Sequence, residues 1–298
     1  MKALVTGATG FIGGQLTQAL AADGIELRCL VRDPTRARVL GVELHEGDVL
    51  DESSLRGAGA GVDVAYYLIH AMGRGSDRGF SQREQVAARN FARMARREGI
   101  ERVIYLGGLG DPRSEHLRSR HATAATLAAE GPPLTYFRAA MVVGPGSESF
   151  RTLYHLVRRL PVMIAPAWLR TRTQPIGADD TIAYLRAAAH MEATRGREIE
   201  IGGPDVLSYG AMLGTVARAL GRREPAMVPV PLLTPKLSSL WIGLVTPVDA
   251  GIARPLIEGL TTESVVRDPS GMALFDIEPE SFAATVAKAV RMDSSESP

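Results

Sequence analysis

Cysteine is almost missing from this sequence: Cys29 stands alone among 298 residues. A disulfide within the chain is excluded, and so is a metal or iron–sulfur centre built on several thiolates. Histidine does not fill the gap. His45, His121, His155 and His190 show no compact ligand spacing and no His-Glu-x-x-His occurs, so no metal site is expected. Net charge is scarce too, since 34 Lys and Arg against 33 Asp and Glu leave +1. A chain that binds by neutralising many phosphates needs a basic surplus, so nucleic acid is not an expected partner. Long apolar runs are also wanting. The least charged tract, residues 226–248, is interrupted by Pro229, Pro231, Pro235 and Lys236, short of the ~20 apolar residues a membrane span needs. It reads as a proline-punctuated lobe with a helix over 237–245, or as a hydrophobic lid or a surface in peripheral contact with a membrane. No long apolar segment with a cleavage site opens the chain, so a cytoplasmic location is expected. Neither a Gly-x-Ser-x-Gly elbow nor a phosphate-loop lysine occurs, which sets hydrolases and kinases aside.

What the sequence does have is an apolar fraction of 45%, ample for a core, and a regular alternation. Short β-branched runs at 2–6, 26–31, 42–47, 63–68, 102–107 and 134–139 read as strands. Helical patterns at 11–22, 80–97 and 116–129 fall between them. Strands alternating with helices of ten or more residues predict an α/β fold: a Rossmann-type, doubly wound parallel sheet. Beyond Gly144 the alternation weakens. Helices are expected at 150–159, 178–191, 209–220, 249–259 and 281–292, with a strand at 197–202. The division drawn is 1–158 for a dinucleotide-binding domain and 159–298 for a smaller, interleaved C-terminal substrate lobe.

The sharpest motif is TGATGFIGG, residues 6–14, directly after the first strand. Gly7 permits a tight exit from the strand, Gly10 lets backbone approach a pyrophosphate, and Gly13 allows close packing of helix on sheet. The N–H groups of the helix start then face the phosphates. A plain turn is the lesser reading. The expected contacts to a nicotinamide dinucleotide are Gly7, Thr9, Gly10, Phe11, Ile12 and Gly13, with His70 beyond the fourth strand. Asp48 and Val49, after the third strand, suit the adenine. Arg32 ends the second strand, with Asp33 next to it. A guanidinium matches a 2′-phosphate, whereas an inward carboxylate would repel it, so NADP(H) is favoured over NAD(H).

TGATGFIGG, VRDP (31–34), YYLIHAMG (66–73), RVIYLGGLG (102–110) and LTYFRAAMVVGPGS (134–147) resemble the atypical short-chain dehydrogenase/reductase superfamily, in its NmrA-like, NAD(P)-binding branch. The resemblance covers nearly all the chain. It implies a serine and a Tyr-x-x-x-Lys pair acting on a substrate carbonyl, and here the sequence departs from it. His116 falls on the tyrosine position, Arg120 on the lysine position, and Gly107 or Gly108 on the serine position. His116 then reads as a proton donor, as a polar contact to cofactor or substrate, or as a surface helix start. Arg120 reads as the ribose contact, and both are the catalytic candidates.

Two functions follow. One is an NADP(H)-dependent oxidoreductase reducing a carbonyl or enone of a small hydrophobic substrate. The alternative is a non-catalytic NADP(H) sensor or assembly protein, with transient-nicotinamide epimerisation a third reading. A monomer or homodimer is expected.

Overall fold

The structure, a computed structural model, describes residues 1–36, 41–69, 79–112, 114–229 and 261–295. His70 and the helices expected at 237–245 and 249–259 lie outside the described residues.

Seven strands form one sheet: β1 (Lys2–Thr6), β2 (Glu26–Val31), β3 (Glu43–Glu46), β4 (Val64–Tyr67), β5 (Arg102–Gly108), β6 (Leu134–Ala139) and, much later in the chain, a strand at Glu198–Ile201. Their spatial order is 201-end strand, β6, β5, β4, β1, β2, β3, and every pairing is parallel. The chain winds outward from β1 to β3, then restarts at β4 on the other side of β1. That reversal opens a crevice at the carboxyl ends of β1 and β4, where open α/β sheets bind ligands.

Alternating side chains feed two cores. Ala3, Val5, Tyr66, Ile104, Leu106 and Phe137 point to one face. It is covered by α1 (Phe11–Ala22) and by a later helix, α5 (Ala178–Ala188). Leu4, Ala65, Tyr67, Val103, Tyr105 and Tyr136 point to the other face, under α2 (Phe80–Arg97) and α3 (Glu115–Glu130). The tyrosines Tyr67, Tyr105 and Tyr136 lie in lateral register across β4, β5 and β6, and the last two rings stack at 5.3 Å.

A third apolar cluster is formed mainly by residues beyond 142. Phe150, Leu153 and Val157 of α4 (Glu148–Arg159) meet Met212, Leu213 and Val216 of α6 (Tyr209–Ala219). Phe282, Val286 and Val290 of the last helix, α7 (Phe282–Ser295), complete it. Local chemistry sets the helix starts. Ser114, Ser147 and Ser208 each cap a first turn through the side-chain oxygen, at α3, α4 and α6 respectively. Short ladders knit the lobe: β7 (Val142–Val143) with β10 (Ile176–Gly177), β8 (Val162–Ala165) with β13 (Ala226–Pro229), and β9 (Arg172–Thr173) with β12 (Leu207–Ser208). The seventh sheet strand, Glu198–Ile201, is β11. With α5 it lies beyond residue 158 and yet serves the main sheet. No helix among the described residues is long and apolar enough to cross a membrane.

Thr6 ties the crevice together. Fully buried at the end of β1, its hydroxyl donates to the Tyr66 carbonyl at 3.1 Å and accepts the Leu68 N–H at 3.1 Å. Thr6→Val keeps the shape and strands both backbone partners, which costs about 1–3 kcal/mol. Urea unfolding of the two proteins checks this: the midpoint falls with the slope unchanged, while Thr6→Ser stays near wild type.

Candidate dinucleotide and substrate site

The turn from β1 into α1 is built on backbone contact. Gly7 has φ +72°, and a Cβ there would lie 2.6 Å from the Leu68 carbonyl oxygen. A Cβ on Gly13 would lie 2.1 Å from the Gly7 carbonyl oxygen, so α1 packs directly on the strand exit. Gly10 is the N-cap of α1 and brings no side-chain cap, although its own N–H donates to the Gly7 carbonyl at 2.9 Å. The N–H groups of Phe11, Ile12 and Gly13 therefore have no acceptor within the helix, and the helix dipole adds positive potential. Thr9 and Gly10 are exposed at the mouth. This cradle fits a pyrophosphate, and a side chain at 7 or 13 would collide with the backbone that shapes it. Gly144 and Gly146 close it from the far side, where a Cβ would lie 3.1 and 3.5 Å from the Phe11 ring. The glycines flanking Pro145 were the sequence signal for that contact.

The remaining expected cofactor contacts lie along the carboxyl edge of the sheet. Arg32 is exposed at the end of β2. Asp48 is half-buried, with Oδ1 accepting the Leu50 N–H at 2.9 Å and its own N–H donating to Ser54 Oγ at 2.9 Å. The Val49 carbonyl accepts from Asn90 Nδ2 at 2.9 Å, which fixes this loop to α2. Asn90 escaped sequence reasoning. Its signal is a lone amide in the buried stripe of Ala87, Ala88 and Phe91.

At the end of β5 the two glycines face different neighbours. A Cβ on Gly107 would meet Tyr136 Cε2 at 2.6 Å, whereas one on Gly108 would meet Leu117 Cδ2 at 2.5 Å and Arg120 Cδ at 3.5 Å. Gly108 is thus the position that faces α3 and its pair, and Leu117 takes up the room a serine side chain would need. Arg120 donates from Nε to His116 Nε2 at 3.1 Å and from Nη1 to the Leu106 carbonyl at 3.3 Å. Burial, then the Arg120 cation, push the His116 imidazole down to about 3. The ring is neutral at physiological pH. Because Nε2 accepts, its proton resides on Nδ1. Such an imidazole is a hydrogen-bond donor and a poor acid.

Other polar side chains of the sheet edge and of the segments after it are absorbed by the fold. Arg138 pairs with Glu198 at 2.7 Å and Glu200 at 3.2 Å. Arg172 pairs with Glu263 at 2.8 Å, and Gln174 bridges the Gly203 carbonyl and the Val266 N–H at 2.7 and 3.0 Å. Tyr66 and Tyr67 are buried and their phenols pushed upward by desolvation; that of Tyr105 is pushed up to about 12.

Two predictions follow from this geometry. Gly13→Ala drives a Cβ into the Gly7 carbonyl, so dinucleotide affinity, measured by calorimetric titration, falls by about 100-fold and stability by about 2–4 kcal/mol. Unaltered affinity would contradict the cradle. His116 titrates near ~6.5 when unfolded and about 3 when folded. Between those values the unfolded chain binds the extra proton, so stability present above pH ~6.5 is lost as pH falls. Tm measured from pH 7.5 to 4.5 drops less steeply for His116→Gln than for wild type; parallel curves would sink the assignment.

Comparison with known proteins agrees with this architecture. Residues 7–132 match a family described as NAD(P)H-binding. A ceramide reductase of Caulobacter vibrioides is 28% identical over 243 residues, 70% of this chain and 76% of that protein. Subunit 9 of the NADH dehydrogenase [ubiquinone] 1 alpha subcomplex, mitochondrial, of Arabidopsis thaliana is 25% identical over 299 residues, 89% of this chain and 71% of that one. Among solved structures, the Citrobacter sp. triphenylmethane reductase complexed with NADP(H) superposes with a TM-score of 0.77 at 18% identity. It covers 97% of this chain and 100% of its own, a likeness of fold. The glycine cradle lies at the sheet's switch point, within the residues 7–132 that match the NAD(P)H-binding family, and the solved reductase shares the fold of the chain.

Proposed function

We propose that the protein is a cytoplasmic, NADP(H)-dependent reductase of a small hydrophobic substrate, and that the group reduced is an enone rather than an isolated ketone. The observation that carries this reading is the Arg120–His116 pair beside Gly108 at the end of β5. The nicotinamide supplies hydride when bound. Arg120 presents a guanidinium, a donor-only group, so it holds a developing oxyanion or a ribose hydroxyl without giving up a proton. His116 offers a neutral Nδ1–H. Position 108 offers no hydroxyl. This set of groups stabilises negative charge but does not deliver a proton to oxygen. Reduction of a saturated ketone leaves a localised alkoxide that needs such delivery. Reduction of an enone spreads the charge over oxygen and carbon, and water can protonate the carbon. Arg32 supports the 2′-phosphate preference, as does the NADP(H) held by the triphenylmethane reductase of the same fold. The reductase name of the Caulobacter relative supports the reaction class.

A second reading, a non-catalytic NADP(H)-binding sensor or assembly subunit, is favoured by the filled serine position and by the likeness to a subunit of the NADH dehydrogenase [ubiquinone] 1 alpha subcomplex. Turnover separates the two. The wild-type chain, supplied with NADPH deuterated at C4, is offered alkyl enones and the matching saturated ketones. The reductase reading expects label at the β-carbon of the enone product and little ketone turnover. Arg120→Met lowers kcat by about 100- to 1,000-fold, and Arg120→Lys restores part of it. Tight NADPH binding with no label transferred to any acceptor is the result the sensor reading expects.

A further inference from the structure

Opposite charges stand side by side where cofactor choice is made: Arg32 and Asp33 follow the carboxyl end of β2. A carboxylate turned toward the adenosine ribose accepts its hydroxyls and repels a 2′-phosphate, whereas the guanidinium does the reverse. Composition cannot decide between them. Side-chain placement can.

The structure gives the Asp33 carboxylate a different occupation. Pro34–Arg36 form a single tight turn after β2. Asp33 Oδ1 accepts the backbone N–H of Thr35 at 3.0 Å and the Thr35 hydroxyl at 2.5 Å. Pro34, between them, has no N–H to compete, and its ring fixes the backbone that brings Thr35 round to the carboxylate. One residue thus supplies two donors to one oxygen, which fixes the carboxylate rotamer and spreads part of its charge onto the turn. Arg32 meanwhile is exposed beside it.

We infer that Thr35 is a positioning residue for cofactor choice: it holds the Asp33 carboxylate on the Pro34–Arg36 turn, away from the ribose 2′ position, and leaves Arg32 to receive a 2′-phosphate. This rests on the NADP(H) reading of the site. Thr35 needs no contact with the dinucleotide. It acts by removing a repulsion, so its loss weakens NADPH and spares NADH. A residue that merely stabilised the fold would weaken both.

The test is a double-mutant cycle read as a ratio. Dissociation constants for NADPH and NADH are measured at one fixed ionic strength by dihydronicotinamide fluorescence. The proteins are wild type, Thr35→Ala, Thr35→Ser, Asp33→Ala and the Asp33→Ala/Thr35→Ala pair. Thr35→Ala removes the hydroxyl bond and keeps the N–H bond, and is expected to cut the preference for NADPH by about three- to tenfold, at most the scale of one unit charge moved near a phosphate. Thr35→Ser stays within about twofold of wild type. In the Asp33→Ala background the Thr35 change has no further effect, because the charge it restrains is gone. A preference left unmoved by Thr35→Ala overturns the inference, as does an equal loss in both backgrounds. A wild-type chain that binds both dinucleotides equally, and still does so after Arg32→Ala, overturns the NADP(H) reading and the Thr35 role with it.

Discussion

The contact on which the site depends is the approach of three backbone segments with no side chain between them. The Gly7 carbonyl lies so near Gly13 that a Cβ would come within 2.1 Å of it, and Gly7 itself lies against the Leu68 carbonyl. These contacts set α1 on the end of β1 and set β1 against the exit of β4. Thr6 locks that second junction with two hydrogen bonds. The parallel sheet then carries the carboxyl ends of its strands to one edge, so Arg32, Asp48 and the end of β5 lie along the same edge as the glycine turn. Close backbone packing here sets the position of a ligand-binding surface as well as contributing to stability.

Electrostatics then divide the crevice by task. At the glycine turn the uncapped N–H groups of α1 and the helix dipole favour a diphosphate. At the end of β2 a cation and a carboxylate stand together, and the carboxylate is occupied by Thr35. At the end of β5, where the resemblance implies a serine, a tyrosine and a lysine, a guanidinium is hydrogen-bonded to a neutral imidazole. The last substitution has a steric counterpart. Leu117 sits where a side chain at 108 would go, so restoring a serine there requires the leucine to move. The chemistry left to this end of the site is charge stabilisation.

Much of this is legible in the sequence, and the boundary of legibility has physical causes. The strands at 2–6, 26–31 and 134–139 and the helices at 11–22 and 80–97 match their sequence patterns residue for residue, because buried parallel strands and amphipathic helices leave strong periodic signatures. The paired short strands of the second lobe leave none, being two to four residues long and defined by their partners alone. Residues 226–229 form β13 where the prolines suggest only a break, since Pro229 falls at the last paired position. In the site, the glycine turn is readable because each glycine's reason is local. His116 and Arg120 are readable as neighbours by their spacing of four. The arginine four residues on already disfavours an imidazolium, but the burial that is the larger cause of the neutral ring arises only on folding. Asn90 and Thr35 are hidden for a related reason: their roles lie in the partner atom each reaches, the Val49 carbonyl and the Asp33 carboxylate.

The claim at the centre is that the crevice between β1 and β4 is a dinucleotide site tuned to the 2′-phosphate. Direct titration of the wild-type chain with NADPH and NADH, followed by calorimetry, tests it most plainly. The expected result is one dinucleotide per chain, with NADPH bound more tightly than NADH and its advantage shrinking as salt rises. No saturable binding of either dinucleotide would contradict the account.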